Sequence, residues 1–146
     1  GADSAEDEIV RKKADRIWAT VSHCHFNRDF RFNSQSTAMQ FTSSRTIGGH
    51  AWPSINLTSP DQEKALTLWA NSSLGLLLHW WHANKQQSGR GRIGISALEL
   101  LPVLDMTKLS KEGLTQAVTI FEDMKYLEFR AKNAGVLNIL QSIQVK

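Results

Sequence analysis

The chain has 146 residues and a mass of 16.4 kDa, the size of one domain with a core of its own. Its 41% apolar content, with five Trp and six Phe, excludes a disordered tail, and a single cysteine, Cys24, excludes an internal disulfide and fits a reducing compartment. The net charge of +3 is unevenly spread: residues 1–10 carry four acids, residues 11–92 carry eleven Lys or Arg against four acids, and residues 93–146 balance at six against six. A positive field over the first two thirds suits a polyanion partner.

No charged n-region leading into an apolar h-region opens the chain, so a cytoplasmic location is expected. Gly1 in place of Met suggests a processed tag or a fragment of a longer protein, and residues 1–8 are expected to be flexible. Ser4 followed by Asp7 opens a short, mostly charged helix through about Asp15. Arg16 to Phe26 alternates and is rich in β-branched and aromatic residues, which predicts a strand with His23 and His25 on one face and Cys24 on the other.

Asn27 to Ser36 is polar with interleaved Phe30 and Phe32, and reads as a loop or short edge strand carrying Arg28 and Arg31. Thr37 to Ser44 alternates again, a second strand. Gly48-Gly49 marks a tight turn flanked by Arg45 and His50, polar side chains able to reach base edges, and Trp52 to Leu57 returns as a third strand.

From Pro60 to Asn84 the apolar residues Leu66, Trp69, Ala70, Leu77 and Trp80 recur at helical spacing, with Leu74, Leu78 and Trp81 as a second stripe. The prediction is one long helix buried between layers, with Ser59 as N-cap, Pro60 at N1 and Asp61 and Glu63 in the first turn. Its apolar run is too short to cross a bilayer, so no membrane partner is expected.

Asn84 to Arg92 follows as a loop in which Lys85, Gln86, Gln87, Arg90 and Arg92 meet no acid. Ile93 to Ile95 is a brief strand, Ser96 with Glu99 is a capping box opening a short helix stopped by Pro102, Ser110 to about Phe129 is an amphipathic helix, and Gly135 to Val145 is a last one. The expectation is a single α+β domain over residues 1–146. In it a small, mostly antiparallel sheet packs against the one long buried helix, with further helices towards the C-terminus.

Gly89 to Gly94 matches G-x-G-x-x-G literally, but a helix precedes it and a strand follows, the reverse of the dinucleotide-binding context. Its glycines and the Arg90 and Arg92 guanidinium forks suit phosphate contacts along a nucleic-acid backbone instead. His23, Cys24, His25, His79 and His82 lack the companion motifs of a metal site, and no nucleophile elbow is present, so neither a metal nor a catalytic residue is expected.

Three stretches, HFNRDFRFNSQSTAM, SRTIGGHAWPSI and EKALTLWANSSLGLLLHWWHANKQQSGRGRIGISALELLPVLD, run from His25 to Asp105. They resemble the region that follows the catalytic domain in DNA adenine N6-methyltransferases of restriction-modification and related phage-defence systems. The family's D/N-P-P-Y/F motif is absent, because Pro53, Pro60 and Pro102 are isolated and the only tyrosine is Tyr126. No glycine-rich strand-to-helix turn for S-adenosylmethionine accompanies it. The resemblance therefore implies a target-recognition or C-terminal module without the reaction centre. Such a module would bind double-stranded DNA through Arg28, Arg31, Arg45, His50, Lys85, Gln86, Gln87, Arg90 and Arg92, while a catalytic domain of the same parent chain holds the cofactor. The alternative is a non-enzymatic module that docks a partner subunit.

Overall fold

The computed structural model describes residues 2–31, 37–86 and 90–125. Helix α1 (Ala2–Trp18) is longer at both ends than the sequence suggests, running from the start expected to be flexible into the stretch expected to be a strand. Its side chains from Ala5 to Trp18 are exposed apart from a half-buried Ala14, so it is a solvated, mostly charged helix. Strand β1 (Ser22–Phe26) pairs antiparallel with β3 (Met39–Thr46) on one side and with β4 (Ser54–Ile55) on the other. This first sheet has the order β3-β1-β4.

Helix α2 (Pro60–Ala70) covers that sheet, and its start follows the sequence signals: the Ser59 hydroxyl accepts from the Gln62 amide and Pro60 opens the first turn. Leu66, Ala65 and Ala70 of α2 meet Cys24 and Phe26 of β1, Met39 of β3, and the more distant Ile93, Leu101 and Met106 in one buried core. Burial pushes the Cys24 thiol up to about 11, against the opposing effect of the Thr67 hydroxyl 3.3 Å away, so it packs as a protonated, inert small hydrophobe. Helix α5 (Lys111–Met124), capped by Ser110, lies on the other flank of α2. There Phe121 meets Phe41 edge-on at 5.5 Å and Lys64 bridges to Glu122 at 2.7 Å.

The single long helix expected over Pro60 to Asn84 is instead two. Helix α2 ends at Ala70, and α3 (Ser73–His82) starts afresh after Asn71 and Ser72. Two side chains make the break stable. The Asn71 carboxamide oxygen accepts from the Ala38 and Met39 amides at 2.8 and 3.3 Å, and its nitrogen donates to the Met39 and Thr67 carbonyls at 2.8 and 3.0 Å. The Ser72 hydroxyl caps α3 by accepting from the Gly75 amide at 3.2 Å. Asn71 thus exchanges helical continuity for a fixed link to the start of β3.

After α3 the expected loop is replaced by strands. β5 (Asn84–Gln86) pairs with β6 (Arg90–Arg92), which pairs with β2 (Asp29–Arg31), all antiparallel, in the order β2-β6-β5. The strand expected at Ile93 to Ile95 lies three residues earlier, at Arg90–Arg92, and Ile93 is a buried core residue just beyond it. Helix α4 (Ile95–Glu99) begins at Gly94 with no side-chain cap, so Ser96 does not form the expected box. The helix expected at Gly135 to Val145, and the C-terminal part of the one expected to reach Phe129, lie outside the described residues.

Candidate nucleic-acid interface

The β2-β6-β5 sheet gathers most of the residues singled out from the sequence. Directly paired residues in an antiparallel sheet point to the same side, and successive residues alternate. The register places Arg31, Arg90 and Gln86 in one row and Asp29, Arg92 and Asn84 in another on the same face. The row between them, Phe30, Gly91 and Lys85, belongs to the opposite face.

That opposite face is anchored to α3. Phe30 is fully buried, 5.0 Å from the His79 ring and 6.1 Å from Trp80. A Cβ at Gly91 would stand 2.9 Å from the Ala83 Cβ and 3.1 Å from the Trp80 ring, so only glycine lets β6 lie this close to the helix. His79, also 4.9 Å from Phe26, has no hydrogen-bond partner at either ring nitrogen among the described residues, and burial lowers its pKa to about 4. The imidazole behaves as a neutral aromatic ring between two others. Lys85, at the edge of this face, lies 5.6 Å above Trp80 and donates to the Trp81 carbonyl at 2.7 Å, the favourable place for a cation at a helix C-terminus.

The outward face is polar. Arg31, Arg90, Gln86 and Asn84 are exposed, and Asp29 and Arg92 are half-buried. Arg92 is braced by the Asp29 carboxylate, 3.8 Å from its Nε, and its Nη2 lies 3.4 Å from Nδ1 of His50. His50 is held from below by Arg28, whose Nη1 donates to its Nε2 at 3.2 Å and to its carbonyl at 3.1 Å while Nε donates to the Ile93 carbonyl at 2.9 Å. A neutral imidazole has only one acceptor nitrogen. Arg28 is 7% exposed and cannot turn to water, whereas Arg92 can, so Nε2 is assigned as the acceptor and Nδ1 carries the proton. His50 Nδ1–H and Arg92 Nη2 are then two donors side by side, with no acceptor between them among the described residues.

The structure therefore brings Arg31, Gln86, Arg90, Arg92 and His50 to one surface. It places Arg28 beneath them as a buried clip, and Lys85 on the reverse face. Arg45 belongs to β3 of the first sheet, where Nη2 donates to the Val21 carbonyl at 2.6 Å. Gln87 lies outside the described residues. Sequence reasoning missed Asp29 and Asn84, which share the outward rows; the alternating Asp-Phe-Arg pattern was the available signal.

Among the described residues no group of three or more His, Cys, Asp or Glu is placed to hold a metal. His23 is stacked on Phe41 at 5.3 Å, His25 is tied to the Thr46 hydroxyl at 2.7 Å, and His82 contacts the Leu78 carbonyl at 2.8 Å. No described helix is long and apolar enough to cross a membrane. Compared with known proteins, the chain matches no family model, no curated protein and no solved structure.

Proposed function

We propose that this chain is a duplex-DNA-binding module, and that the outward face of the β2-β6-β5 sheet is its contact surface. The observation that carries the reading is the convergence of Arg31, Arg90 and Arg92 on one polar face, in rows whose one carboxylate is Asp29, with Gln86 and Asn84 beside them on β5. Guanidinium forks make bidentate contacts to phosphate and to base edges, and carboxamides serve as base readers. The resemblance of the stretch from His25 to Asp105 to the region after the catalytic domain of DNA adenine N6-methyltransferases supports placing the module beside such a domain in a parent protein. In that arrangement this chain grips the duplex, and the catalytic domain flips the adenine and binds S-adenosylmethionine.

The test is a salt titration of duplex binding. Replacing Arg31, Arg90 and Arg92 together by Ala should weaken binding to any duplex, and each of the three that neutralises a phosphate should lower the slope of log K against log salt by about 0.9. Unchanged affinity together with an unchanged slope removes this face from the interface.

A second reading, a module that docks a protein partner, is favoured by one observation. Leu74, Leu77 and Trp81 stand 57, 54 and 74% exposed at successive helical spacings on α3, an apolar stripe facing water. A recognition module joined to a catalytic domain needs both surfaces, and a chain that binds no duplex while self-associating or capturing that domain through Trp81 would favour this reading alone.

A further inference from the structure

We infer that the outward face of the β2-β6-β5 sheet enters the major groove of B-form DNA, where Arg90 and Arg92 contact guanines two base steps apart. This rests on the duplex-binding reading above. The width of the element selects the groove. Neighbouring strands lie roughly 5 Å apart, so the central strand with one neighbour forms a two-stranded ribbon, which a major groove about 12 Å wide admits and a minor groove of about 6 Å does not. The same width excludes the deep, narrow major groove of A-form RNA, and the wide, shallow minor groove left there does not display guanine O6 and N7.

The spacing of the side chains selects the bases. Arg90 and Arg92 lie on the central strand, flanked on both sides by paired strands, so they are the residues furthest from either edge of the sheet. Residues two apart on a strand are separated by roughly 7 Å, and two base steps at about 3.4 Å each cover the same distance. Arginine is the side chain that pairs bidentately with the two acceptors of guanine, O6 and N7.

Arg92 is prepared for this geometry. Asp29 braces its Nε from 3.8 Å, and His50, oriented by the buried Arg28, presents Nδ1–H 3.4 Å from Nη2. Two adjacent donors with no acceptor between them among the described residues match two adjacent acceptors on one ligand. Both the guanine edge and a phosphate have that form, and the experiment separates them.

A duplex library randomised over one helical turn is selected on the intact chain at low salt, and the enriched sites are sequenced. Enriched duplexes should share two guanines separated by one base pair. Replacing either guanine by 7-deazaguanine keeps base pairing and phosphates but removes N7, and should weaken binding roughly tenfold. Arg90→Lys and Arg92→Lys keep the charge at positions that carry no core packing. Each should retain the wild-type salt slope while losing sensitivity to 7-deazaguanine at one of the two sites. Binding that is indifferent to 7-deazaguanine, or equal affinity for double-stranded RNA, overturns the major-groove assignment and leaves phosphate-mediated duplex binding standing. An absence of salt-dependent binding to any duplex overturns both.

Discussion

His79 offers the sharpest quantitative test of how the sheet is held. It is 1% exposed, enclosed by Phe26 and Phe30, and without a partner at either ring nitrogen among the described residues. Burial takes its pKa from the ordinary 6.5 to about 4, because a charged imidazolium there would lose its hydration and gain no acceptor. The sign follows from proton uptake: between those two values the unfolded chain binds the proton and the folded chain does not, so acid favours unfolding. The full contribution of a neutral His79 is present above pH 6.5, declines as pH falls, and is lost by about pH 4. At about 1.4 kcal/mol per pH unit the interval amounts to roughly 3 kcal/mol, a large fraction of a small domain's stability. His79→Met keeps an apolar filler of similar size but cannot take the proton. Urea unfolding of both chains at steps from pH 7 to pH 4 should show the variant gaining on the wild type by roughly 3 kcal/mol across the window. Every other titrating group is common to the two chains and drops out of the difference. Parallel stability curves would refute the reasoning, and would mean that His79 finds water or a partner when protonated.

Three other substitutions probe the geometry. Gly91→Ala puts a methyl 2.9 Å from the Ala83 Cβ and should cost about 1–3 kcal/mol by pushing β6 off α3; chemical denaturation measures it, and a neutral result would mean that the sheet can lift without penalty. Asn71→Ala strands the backbone groups of Ala38 and Met39 that its carboxamide pairs, and a loss of about 2–3 kcal/mol is expected in the same assay. Lys85→Ala should leave the salt slope of duplex binding unchanged, since its ammonium is directed to the Trp81 carbonyl on the reverse face; a fall of about 0.9 would return Lys85 to the phosphates.

What the sequence made legible was local. Ser59, Pro60 and Ser110 act within one turn of the helices they open, and β3 (Met39–Thr46) overlaps the stretch Thr37 to Ser44 expected from its own side chains. The break after Ala70 was hidden because the apolar period runs on through Leu74 and Leu77, while the cause of the break, Asn71, acts on Ala38 and Met39 more than 30 residues earlier. The second sheet was hidden for another reason: its inward position on β6 is Gly91, which fits the helix by having no side chain and therefore adds nothing to a hydrophobic pattern. Arg28 shows the same limit at the candidate site. An arginine beside Phe30 reads as surface charge, and only the fold reveals that Ile93, 65 residues away, supplies the carbonyl that allows its burial.

The alternation of rows in the β2-β6-β5 sheet also separates two kinds of evolutionary pressure. Phe30 and Gly91 face α3 and are constrained by fit, whereas Asn84, Gln86 and Arg90 face solvent and leave the core untouched when they change. Mutations at the outward positions can therefore accumulate without passing through unfolded intermediates, and under the duplex-binding proposal a change of preferred site need not wait for a compensating change elsewhere. The fold would act as a fixed mount, on which a lineage could exchange one recognition surface for another a residue at a time.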